Sequence, residues 1–129
     1  MKILIVRRRR QFASALMSYW VVTSMPKAAF MQKYQLKDDL SGGAAEDGRL
    51  LRRMEFDPWE YGAEIRNGGT LRLQLEDDAA TVFAVTWGGL LSNELRLEGA
   101  GEWQVRVTTA GGWRTPSCPV LSLQKPQRP

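Results

Sequence analysis

The chain has 129 residues, 43% of them hydrophobic and 25% charged, enough for one domain with a buried core. Histidine is absent and cysteine occurs once, which excludes Ser-His and Cys-His pairs, imidazole metal sites, an internal disulfide and a thiolate zinc cage. The net charge of +4 is unevenly spread: residues 1–37 hold eight basic residues and no acid, residues 38–102 six arginines against all fourteen carboxylates, and residues 103–129 four basic residues and no acid.

Lys2-Ile3-Leu4-Ile5-Val6 is an apolar run of strand length, and Tyr19-Trp20-Val21-Val22-Thr23 is another. They are expected to be antiparallel neighbours in one sheet. Between them stand Arg7, Arg8, Arg9 and Arg10. The plainest reading puts these four on an edge strand, where charge discourages sheet-to-sheet aggregation. A second reading makes them a nucleic-acid arm, with Phe12, Tyr19 and Trp20 stacking on bases. Arg9-Arg10-Gln11-Phe12 also resembles the core of bacterial twin-arginine export signals, which implies export and cleavage. Cleavage after Ala28 or Ala29 would, however, put Pro26 or Lys27 at the position three residues before the cut, where such signals carry a small residue. No run of 18 uncharged apolar residues is present to span a membrane, and a cytoplasmic protein is expected.

Ser24 and Pro26 open a short amphipathic helix over about 25–36, in which Phe30 and Tyr34 share a face. Residues 38–48 read as a loop, and Asp57-Pro58-Trp59-Glu60 as a capped helical turn. Asn67-Gly68-Gly69 marks a turn. Four alternating or β-branched runs follow: Leu71 to Leu75, Thr81 to Trp87, Leu91 to Leu97, and Trp103 to Thr109. Read as successive hairpins, they place Leu73 opposite Phe83, Phe83 opposite Leu95, and Leu95 opposite Val105, so that all four bury odd-numbered positions. Their even face, with Arg72, Gln74, Thr86, Glu94, Arg96, Gln104 and Arg106, is expected to meet solvent. Val120 to Leu123 is a last strand, and Cys118 reads as a small buried apolar residue.

The expected fold is therefore mainly β: a small antiparallel β-sandwich or flattened barrel, with a four-stranded meander over 70–109 and one short helix. It forms a single domain over 1–124 with a flexible tail at 125–129. No catalytic motif, phosphate loop or EF-hand spacing is present, so no enzyme activity, cofactor or metal is expected. The leading function is a non-catalytic binding or protein-interaction module. A protein partner or self-association comes first, since basic and acidic blocks are complementary. Nucleic acid is the alternative through Arg7–Arg10, and carbohydrate through surface aromatics, of which Trp59, Tyr61 and Trp113 are the candidates.

Overall fold

Each apolar or alternating run carries a strand, but the strands find partners far from their neighbours in sequence. A computed structural model of the chain describes residues 2–11, 18–33, 62–76, 81–86, 91–110 and 118–124. In chain order the elements are β1 (Lys2–Arg8), β2 (Tyr19–Val22), α1 (Lys27–Lys33), β3 (Gly62–Ile65), β4 (Thr70–Leu75), β5 (Thr81–Thr86), β6 (Leu95–Arg96), β7 (Gly101–Ala110) and β8 (Cys118–Gln124). They form two four-stranded sheets, ordered β4-β1-β7-β8 and β3-β2-β5-β6. Among the described residues no barrel closes, and the sandwich is the form adopted. All pairings are antiparallel except β1 with β7, which is parallel.

Three expectations about pairing are corrected. The meander over 70–109 does not form, because β4 and β7 lie in one sheet and β5 and β6 in the other. Only the β5–β6 contact survives, and in a different register, with Val82 opposite Leu95 and Thr81 opposite Arg96. A short loop can close a hairpin, but it can also carry the chain across the roughly 10 Å between facing sheets. The second correction is that β1 and β2 sit in different sheets. The third is that β1 is an inner strand, flanked by β4 and β7, so the arginines do not lie on an edge.

The parity rule holds in the first sheet and inverts in β5. Leu71 to Leu75, and Val105 and Val107, turn inward as expected, and Leu4 and Val6 of β1 join them in the same core. From β5, however, Val82 and Ala84 enter the core between the sheets together with Tyr19, Val21 and Leu97. Phe83 and Val85 face the other way, into a second apolar cluster with Trp20, Val22, Phe30, Met31 and Leu91. This second cluster exists because α1 lies across the outer face of the second sheet. Phe30 meets Phe83 edge-on, with ring centroids 5.4 Å apart. The first-turn amide of Lys27 donates to the Glu94 carboxylate at 2.6 Å, tying the helix start to the segment before β6. The helix runs over Lys27–Lys33, within the expected 25–36; residues 34–36 lie outside the described residues. Thr86, expected on a solvated even face, is buried, whereas Glu94 is exposed as expected and also anchors the helix.

β3 had no counterpart in the sequence reading, since Gly-Ala-Glu-Ile shows no alternation. The turn after it was legible: Gly68 has φ 74°, and the Gly69 amide donates to the Arg66 carbonyl at 2.8 Å. This turn takes the chain from the second sheet to the first.

Candidate interaction face

The arginine run must be taken residue by residue, because alternation along β1 sends its side chains to opposite faces. Arg7 points outward and is exposed, while Arg8 turns into the sandwich and is only 3% exposed. The Arg8 guanidinium lies 3.9 Å from the centre of the Tyr19 ring and donates to the Ile65 carbonyl at 2.9 Å. Burial pushes its pKa below the usual range, and the interaction with Tyr19 works in the opposite direction. Arg9 and Arg10 are exposed beyond the strand. Gln11 then fixes the end of the run. Its side-chain amide pairs with the Thr109 backbone, accepting at 2.6 Å and donating at 3.3 Å, and its own N–H donates to Asn67 at 2.9 Å. The four arginines therefore do not make one surface.

At the opposite end of β1, Lys2 is also buried at 3% and donates from Nζ to the Leu97 carbonyl at 2.8 Å. The inward face of β1 thus reads cation, leucine, valine, cation; Arg8 bridges to a carbonyl of β3 and Lys2 to the carbonyl of the residue that follows β6. The Tyr19 and Thr109 hydroxyls, 2.7 Å apart, add a further tie.

The outward face of the first sheet carries the other exposed charges of this region. Register sets Arg7 beside Arg106 on β7 and Thr70 on β4, and Ile5 beside Arg72 and Gln104. Arg7, Arg72 and Arg106 are all exposed, and Ile3 and Ile5 are half-buried between them. Arg7 donates to Gln104 at 3.1 Å, and Gln104 donates in turn to Glu102 at 3.5 Å. The described ion pairs, Arg66–Glu64 and Arg96–Glu98, lie away from this face. Within its paired strands it therefore presents three arginines and one carboxylate, with exposed Arg9 and Glu76 just past the ends of β1 and β4, and no described element covers it. Arg72 and Arg106 were legible only as members of a solvated face. What the sequence lacks is strand order: β1 brings Arg7, from the basic N-terminal block, between residues drawn from the other two blocks.

The remaining candidates divide plainly. Trp59, Tyr61 and Trp113 lie outside the described residues. Tyr19 and Trp20, which the alternative nucleic-acid reading would stack on bases, are both buried. Trp103 is half-buried against the core and donates to the Gly99 carbonyl at 3.1 Å. Cys118 is buried, with its thiol directed at the Leu91 carbonyl. No group of three or more metal-ligating side chains occurs among the described residues, and no described helix is long and apolar enough to cross a membrane.

No protein-family profile matches the sequence, and no curated protein matches it. Among solved structures, the chain is similar to Serratia marcescens Lip, a membrane bound component of the Type VI Secretion System. That likeness covers 98% of this chain and 97% of the other at 14% identity, with a TM-score of 0.46. At this level it assigns neither family nor role.

Proposed function

We propose that the chain is a non-catalytic protein-interaction module that receives its partner on the outer face of the β4-β1-β7-β8 sheet. The observation that carries this reading is the contrast between the outer faces of the two sheets. One is apolar and covered by α1; the other carries adjacent arginines and is covered by no element among the described residues. Like charges on neighbouring strands destabilise a sheet, by a few tenths of a kcal/mol to about 1 kcal/mol per pair. An open face that keeps Arg7 next to Arg106 is better suited to an external ligand than to the fold itself.

The test is site-specific photo-crosslinking in the host, with p-benzoylphenylalanine at Ser122, which stands beside Arg106, or at the exposed Ala28 on α1. A discrete, nuclease-resistant protein adduct from position 122 and none from position 28 is the expected outcome. Adducts from neither position, or equally from both, remove the reading.

The cytoplasmic assignment is likewise proposed. Its support is that cleavage after Ala28 or Ala29 would take away β1 and β2, an inner strand of each sheet. The intact mass of protein from separated cell fractions checks it. Full-length protein in the cytoplasm agrees, and an exported form lacking the first 28 or 29 residues does not.

A further inference from the structure

We infer that the occupant of the open face is an acidic polypeptide segment, held across the strands by Arg7, Arg72 and Arg106. This rests on the interaction reading above and specifies the chemistry of the partner.

Charge comes first. Three arginines against Glu102 leave the face net positive, so the same face of a second copy would bring like charge against it. An anionic partner has no such penalty, and the planar guanidinium suits carboxylate groups well. The surface between the arginines argues for protein rather than nucleic acid. Ile3 and Ile5 offer aliphatic contact, and no described aromatic residue lies on this face to stack a base.

The geometry of β8 directs the partner onto the face instead of onto this edge. Pro119 has no N–H to give. The Leu121 backbone is already taken on both sides of its peptide unit by Asn93, which donates to its carbonyl at 2.9 Å and accepts from its amide at 2.8 Å. An added strand would find these two positions closed.

The experiment is fluorescence anisotropy with a labelled peptide of alternating Glu and Leu, and with a single-stranded oligonucleotide of equal charge. The peptide is expected to bind at low salt and to weaken as salt rises. An R7Q/R72Q/R106Q variant should lose at least tenfold in affinity. An R66Q/R96Q variant, which removes two exposed charges from outside the face, should lose no more than a few-fold. Amide chemical-shift changes on adding peptide should fall on residues 3–7 and 102–106 and not on α1, a readout that needs no variant. Equal binding by the triple variant, absence of peptide binding, or tighter arginine-dependent binding of the oligonucleotide each overturns the inference. If the peptide fails while Ser122 still gives its protein adduct, the acidic partner falls and the interaction face stands.

Discussion

The outer faces of the two sheets are opposite in character, and the strands beneath them differ too, with four residues in β2 against seven in β1. On the second sheet, Trp20, Val22, Phe83 and Val85 are buried beneath a two-turn helix, so β2 and β5 are covered on both sides. On the first, β1 presents half-buried isoleucines and an exposed arginine outward, with polar residues on both neighbouring strands. The difference shows how a four-residue strand such as Tyr-Trp-Val-Val differs from an alternating one. A strand apolar at every position calls for two partner layers, whereas an alternating strand calls for one and leaves a face available.

Substitutions that strike one face and spare the other test this contrast most directly. Phe83→Ala should cost about 3–5 kcal/mol in urea-unfolding stability, because the cavity opens in a packed cluster. Ile5→Ala, on the open face, should cost about 1 kcal/mol, since much of that side chain already meets water. Equal losses would mean that the first face is covered after all.

Adjacent arginines give a second comparison. Arg8→Ala should cost about 2 kcal/mol by leaving the Ile65 carbonyl without its buried donor. Arg7→Ala, one residue earlier and on the opposite face, should change stability by no more than about 0.5 kcal/mol. A smaller effect follows at the helix. Glu94→Ala removes the acceptor for the Lys27 amide and should cost about 1 kcal/mol, read by thermal unfolding. The smallest is Arg106→Gln, expected within about 0.5 kcal/mol and on the stabilising side, since it removes one of two adjacent like charges. A clear loss there would give Arg106 a structural role and weaken its place in the binding face.

Strand positions were readable from alternation and turn chemistry, as β4 and β7 illustrate. Pairing was not. The hairpin parity argument assigned Phe83 to the core between the sheets because it assumed that each strand has a single buried side. β5 violates that assumption at every position from Val82 to Thr86. The arginine run misled for a related reason. A cation is read as a surface residue, yet Arg8 is accommodated by an aromatic ring and a carbonyl that lie 11 and 57 residues further along the chain. The candidate site was half legible. Arg7 stood out as part of a charge run, while Arg72 and Arg106 became its companions only through strand order.

The placement of β1 also governs when the molecule can assemble. Its partners are β4, beginning at Thr70, and β7, whose register extends to Val107 opposite Arg8. A ribosome must therefore synthesise most of the chain before the first strand has both neighbours, and the sheet closes through contacts of very high sequence separation. Such a topology folds slowly, on the millisecond-to-second scale, with an apolar strand waiting exposed. Ile3 to Val6 are bracketed by Lys2 and Arg7 to Arg10, the flanking charges that oppose aggregation of an apolar strand still without its partners.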